Sequence, residues 1–93
     1  MTIGLLKLDL LIRGARSLKE KRRVVKSLKD RIRNRFNCSI AEVDYLDEWQ
    51  RARLAVCVVA REGRFANTQI NEIARFAVAT SGAEIANVEI EML

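Results

Sequence analysis

The chain has 93 residues, 49% of them apolar and 31% charged, with a net charge of +5, two cysteines and no histidine. That length fits one domain, residues 1–93, able to close a core without disulfides or metal. The absence of histidine excludes a Ser-His-Asp triad, a histidine general base and a His-ligated metal, and the scattered Gly4, Gly14, Gly63 and Gly82 exclude a P-loop or a dinucleotide loop.

From Ile3 to Ile12 the chain alternates, with Leu6, Leu8, Leu10 and Ile12 on one face and Leu5, Lys7, Asp9 and Leu11 on the other, which predicts a strand with one buried side. Lys7 and Asp9 interrupt this apolar stretch, and no run approaches the roughly 18 residues of a membrane span. Neither a signal peptide nor a transmembrane segment is predicted, and the reading is a soluble, cytoplasmic protein. Ser17 followed by Glu20 is a capping box, so a helix starts there. At 100° per residue, Leu18, Val25, Leu28, Ile32 and Phe36 fall within an arc of about 80°, the core-facing stripe, and Val24 widens it. Cys38 to Tyr45 and Arg51 to Arg61 are rich in strand-favouring residues, the second with Leu54, Val56, Val58 and Ala60 on one face, and LDEWQ between them reads as a hairpin loop. Ala66, Ile70, Ile73, Ala74 and Ala77 repeat at helical spacing up to Ser81 and Gly82, where a C-terminal glycine cap is expected. From Glu84 onward Ala86, Val88, Ile90 and Met92 alternate with Asn87, Glu89 and Glu91, a final strand.

The order β-α-β-β-α-β predicts an α+β, ferredoxin-like sandwich: a four-stranded antiparallel sheet, strand order 4-1-3-2, with two helices on one face. The opening GLLKLDL, the run RGARSLKEKRRVVKSLKDRIRNRFNCSIAEVDYLDEWQRA and the acidic last strand resemble the YlxP-like family of small, functionally uncharacterised bacterial proteins. The resemblance spans nearly the whole chain and implies the same fold. It also implies that members are often encoded beside translation-initiation and ribosome-maturation genes, which points towards ribosomal RNA or a ribosomal subunit as partner and to no particular reaction.

Charge is distributed unevenly. Residues 1–36 carry twelve bases and three acids, residues 37–93 five bases and nine acids, and the first helix alone, Ser17 to Phe36, holds nine bases against Glu20 and Asp30. Lys19, Arg22, Lys26, Lys29 and Arg33 follow at i, i+3, i+7, i+10 and i+14, one ridge beside the apolar stripe, and Arg16 lengthens it. Successive cations about 5 Å apart match a phosphate backbone. A solvated face is the plain alternative, but solvation does not require a single sign, and like charges at i, i+4 repel. Lys21 falls inside the apolar arc, where it is expected to bury its stem and release its amine to solvent, with a carboxylate partner as the alternative.

The sheet face away from the helices should carry Leu5, Lys7, Asp9 and Leu11 beside Arg53, Ala55, Cys57 and Val59. It lacks the aromatic rings with which an RNA-recognition motif stacks bases. Leu5, Leu11, Ala55 and Val59 are expected to form an apolar patch that pairs two copies as a homodimer. Trp49 in the hairpin loop is expected to cap the core edge, an interface anchor being the other reading. Free thiols are predicted for Cys38 and Cys57, although one loop register sets them opposite each other on the open face. Acylphosphatase shares this fold and cradles phosphate in the loop that here reads Arg13, Gly14, Ala15, Arg16; that cradle needs more glycine, and the third strand offers no Asn. The expectation is therefore a non-enzymatic protein without catalytic residues, metal or cofactor, binding RNA through its first helix. The alternative is a dimeric small-molecule-binding regulatory or protein-interaction domain.

Overall fold

The computed structural model describes residues 1–93 as β1 (Thr2–Leu11), α1 (Leu18–Arg35), β2 (Ser39–Asp44), β3 (Arg51–Ala60), α2 (Gly63–Thr80) and β4 (Glu84–Met92). The four strands form one antiparallel sheet in the order β2-β3-β1-β4, with both helices on one face, a ferredoxin-like α+β fold. No helix is long and apolar enough to cross a membrane.

The core follows the predicted faces. Leu6, Leu8 and Leu10 of β1 and Leu54, Val56 and Val58 of β3 are buried against Val25, Leu28 and Ile32 of α1 and Ile70, Ile73 and Ala77 of α2. Each large aliphatic side chain withdrawn in this way contributes roughly 1.5–3 kcal/mol of burial. Leu18 and Phe36, at the two ends of the α1 stripe, are only half-buried. Phe36 meets Phe76 edge-on, ring centroids 5.6 Å apart, and so joins the helices at one end. Gly4 lets α2 approach β1: a Cβ there would lie 2.7 Å from Ile70 Cγ1 and 3.3 Å from Met92 Cε.

Ser17 caps α1, its Oγ accepting from the Glu20 N–H at 3.1 Å, while the Glu20 carboxylate reaches back to the Arg16 N–H, one residue before the usual box partner. The end of α2 differs from expectation. Ser81 is the C-cap, in extended conformation, and no glycine in the chain has positive φ. Ser81 Oγ instead accepts from the Ala83 N–H, which turns the chain towards β4 without a left-handed residue.

The alternation expected for β4 holds only in part. A bulge between Asp9 and Leu10 pairs Asp9 with Asn87 and Leu10 with Ile85, so Ala86 has no partner and Ile85 takes the core-facing place. Val88, Ile90 and Met92 do face the helix side, opposite Leu8, Leu6 and Gly4, but α2 leaves each of them about 40% exposed at the sheet edge. β2 alternates regularly from Ile40 to Glu42, so Glu42, opposite Leu54, faces the helices; a second bulge then frees Val43 and puts Asp44, opposite Arg53, on the open side. Ser39 is the partner of Cys57, which places Cys38 on the opposite face; both thiols are free, and burial pushes that of Cys38 up despite nearby Arg33.

Candidate functional site

Helix α1 presents the predicted ridge to solvent. Arg16, Lys19, Arg22, Lys26 and Arg33 are exposed and Lys29 is half-buried. From Lys19 to Arg33 the ridge runs about 21 Å, at 1.5 Å per residue. Its members are not equivalent. Lys26 Nζ lies 2.6 Å from Asp30 Oδ2, and this hydrogen bond holds the Asp30 carboxyl below its ordinary range. Arg33 is 4.0 Å from the same carboxylate and donates to the Ile40 carbonyl at 3.0 Å, which ties it to β2. Arg16, Lys19, Arg22 and Lys29 have no carboxylate within ion-pair distance, nor has Arg23, an exposed cation beside the predicted ridge.

The other cations of α1 serve the fold. Arg31 donates to the Thr80 carbonyl at 2.7 Å, at the C-terminal end of α2, where a cation offsets the helix dipole. Arg35 lies over the Phe76 ring, 5.0 Å from its centroid. Lys21 is fully buried and its amine does not reach solvent: Nζ sits 2.6 Å from Glu42 Oε2, donates to the Tyr45 carbonyl at 2.7 Å and is 3.5 Å from the Leu46 carbonyl. The carboxylate alternative is the one realised, because Glu42, two residues after buried Ile40, lies on the helix side of β2 under α1. Glu42 Oε2 has no well-directed hydrogen bond, so the contact is ionic in character.

The open sheet face divides into two ends. At one, Leu5 lies opposite Cys57 and Ile3 opposite Val59, with Ala55 one pair further and Val59 66% exposed. At the other, Arg53 binds Asp9 at 2.6 Å and Asp44 at 3.4 Å and donates to the Tyr45 hydroxyl at 3.3 Å. The hydrogen bond from Arg53 holds the Asp9 carboxyl below its ordinary value, against a smaller opposing effect of burial, and raises the Arg53 guanidinium in turn. Leu11 lies beyond this network, six residues or about 20 Å along the strand from Leu5. The four expected patch residues therefore do not form one surface: Leu5, Ala55 and Val59 group together and Leu11 stands apart.

Leu11 belongs instead to a cleft of about 580 Å³ lined by Arg13, Glu48, Trp49, Gln50 and Arg51. Trp49 is 52% exposed, so it does not cap the core. Tyr45, at φ 61°, is the only non-glycine residue in the left-handed region, and the Arg51 guanidinium stacks 3.8 Å from its ring centroid. The same parity that placed Asp9 and Arg53 on one face could have paired them; Tyr45 carried no local signal. A second cleft of about 500 Å³ lies between the β1–α1 and α2–β4 turns, with Arg13 and Glu84 paired at 2.9 Å among its lining residues. A Cβ on Gly14 would meet nothing within 4 Å, so this turn is not built around a close backbone approach. No three His, Cys, Asp or Glu side chains converge to hold a metal ion.

A family model described as protein of unknown function (DUF503) matches residues 3–90. The uncharacterised protein YlxP of Bacillus subtilis (strain 168) is 43% identical over 58 residues, an alignment covering 62% of this chain and 63% of that relative's length. Among solved structures, the de novo designed protein Ferredog-Diesel is similar with a TM-score of 0.50 at 15% identity, over 98% of this chain and 84% of that one, which shows the fold alone.

Proposed function

We propose that this chain, which belongs to the DUF503 family of proteins of unknown function, is a non-enzymatic RNA-binding accessory protein whose first helix lies along a phosphate backbone. The observation that carries this reading is the solvent side of α1 and the turn before it, where exposed Arg16, Lys19, Arg22 and Arg23 and half-buried Lys29 stand without carboxylate partners. A surface kept soluble by charge alone gains nothing from one sign, whereas unpaired cations in a row release counterions when phosphates replace them. The family resemblance favours ribosomal RNA as the source of those phosphates. A second copy of the chain is the proposed occupant of the open-face end formed by Leu5, Ala55 and Val59.

Binding to unstructured RNA should weaken with salt by about 0.7 log units per log unit for each contact, hence a slope of roughly −2 to −3.5 for three to five contacts. Lys19→Glu with Arg22→Glu and Lys26→Glu should abolish it without changing the fold, since all three side chains point to solvent. The control is the reversal of Arg61, Arg64 and Arg75, exposed cations outside α1. Equal loss in both triple variants would reduce the attraction to net charge, and wild-type affinity no better than about 10⁻⁴ M at physiological salt would make α1 ordinary solvated surface. The cleft between the β1–α1 and α2–β4 turns favours small-molecule binding as the second reading, which equilibrium dialysis against anionic metabolites would detect.

A further inference from the structure

Trp49 is the chain's single tryptophan, it is half exposed, and no ring or guanidinium of the protein stacks on it. Its loop is nevertheless fixed. The Ile12 N–H donates to the Gln50 carbonyl at 2.9 Å, and Gln50 Nε2 donates to the Arg13 and Ala15 carbonyls at 3.1 and 3.2 Å. These bonds bolt the β2–β3 hairpin to the β1–α1 turn, so Trp49 shares a cleft with Arg13, which lies three residues before the ridge begins at Arg16. An unpartnered indole on an anchored hairpin, next to the end of a cationic track, is the arrangement by which single-stranded nucleic acid is held: stacking on an aromatic face, with basic side chains along the backbone.

We propose that Trp49 is the stacking platform for one unpaired base of a single-stranded RNA, whose adjoining phosphates lie on Arg13 and Arg51 and then pass Arg16, Lys19 and Arg22 along α1. This rests on the reading of α1 as a phosphate ridge and names the class of RNA that the ridge takes. The carboxylates in the way are Glu84, 2.9 Å from Arg13, and Glu48, 3.6 Å from Arg51. Both pairs are about half exposed or more, and such pairs hold weakly enough for a phosphate to displace the carboxylate. A protein hot spot is the competing use of an exposed tryptophan, but Arg13 and Arg51 in the same cleft favour an anionic ligand.

Because Trp49 is the only tryptophan, its fluorescence reports on the platform directly. An unstructured oligoribonucleotide of about 12 residues should quench it, while the same strand annealed to its complement should not. Trp49→Ala should lower affinity for the single strand by roughly 5- to 150-fold, leave duplex affinity and the salt slope unchanged, and be largely rescued by Trp49→Phe. Glu48→Gln should tighten binding. If the single strand binds with the expected salt slope, loses affinity in the Lys19, Arg22, Lys26 variant, and yet neither quenches Trp49 nor notices Trp49→Ala, the platform is overturned and the ridge stands. Absence of wild-type binding overturns both. A blue shift of Trp49 emission with rising protein concentration and no RNA would assign the ring to a protein interface and overturn the platform.

Discussion

Replacing Lys21 with Met tests whether the amine buried in α1 holds the hairpin in place. The substitution keeps most of the stem volume and removes the charge, so the apolar packing of α1 survives while Glu42, whose side chain is only 13% exposed, loses its counterion. Breaking a desolvated pair from one side costs about 3–5 kcal/mol, against about 1 kcal/mol or less for an exposed pair such as Arg13–Glu84. For a chain of 93 residues one kcal/mol corresponds to roughly 5 °C, so the melting temperature should fall by about 15–25 °C. Lys21→Met with Glu42→Leu should recover most of the loss, because no uncompensated charge remains and the Tyr45 carbonyl still accepts from the Glu48 N–H at 3.0 Å. Urea midpoints for the wild type, both single variants and the double variant close the cycle. A cost below about 1 kcal/mol for Lys21→Met, or a double variant no more stable than that single one, would refute the reasoning: the amine would then be hydrated rather than bound to Glu42.

Gly4→Ala should destabilise by about 1–3 kcal/mol, because its Cβ would overlap Ile70 Cγ1 in a filled core, while Gly14→Ala, with open space around it, should change denaturant midpoints little. The Asp9 carboxyl, held by Arg53 below its ordinary value of 3.8, binds its proton more weakly in the folded chain than in the unfolded one, so its stabilising contribution is complete above about pH 4 and is lost as pH falls through the folded value. Asp9→Asn should therefore be less stable than wild type near neutrality and converge with it as pH falls through the lowered folded value; urea midpoints across that range decide, and a difference that does not change with pH would show that the Asp9–Arg53 pair is not formed in solution.

Periodicity made most of the fold legible. The two-residue repeat in β1 and β3 and the 3.6-residue repeat in α1 and α2 assign Leu6, Leu8, Leu10, Leu54, Val56, Val58, Val25, Leu28, Ile32, Ile70 and Ile73 to the core, and all are buried. What escaped depends on pairing between strands. The unpaired residues Ala86 and Val43 arise from how β4 lies on β1 and β2 on β3, and nothing in their own segments marks them. The fate of Lys21 is non-local in another way: its place in the apolar arc was visible, and alternation with Ile40 sets Glu42 on the helix side, but the two meet only because α1 lies over β2. The left-handed Tyr45 is equally non-local, since its ring stacks under Arg51 and its carbonyl receives the buried amine.

The basic segment shows the same division. In the sequence its nine cations look alike, and the helical wheel sorts them only by angle. In the structure, reach to neighbouring elements sorts them again: Lys21 is committed to Glu42, Arg31 to the end of α2, Arg33 to the Ile40 carbonyl and Arg35 to two aromatic rings, so nearly half of the run is scaffolding. Three of those four lie in the C-terminal half of α1, where β2 and the end of α2 come within reach. The cations left over, Lys19, Arg22, Arg23, Lys26 and Lys29, crowd towards the N-terminal half, where the helix dipole adds positive potential and Arg16 continues the line into the turn bolted to the Trp49 hairpin. Charge density and the single exposed indole thus converge on one end of the molecule, although they lie on segments that the sequence separates by some thirty residues.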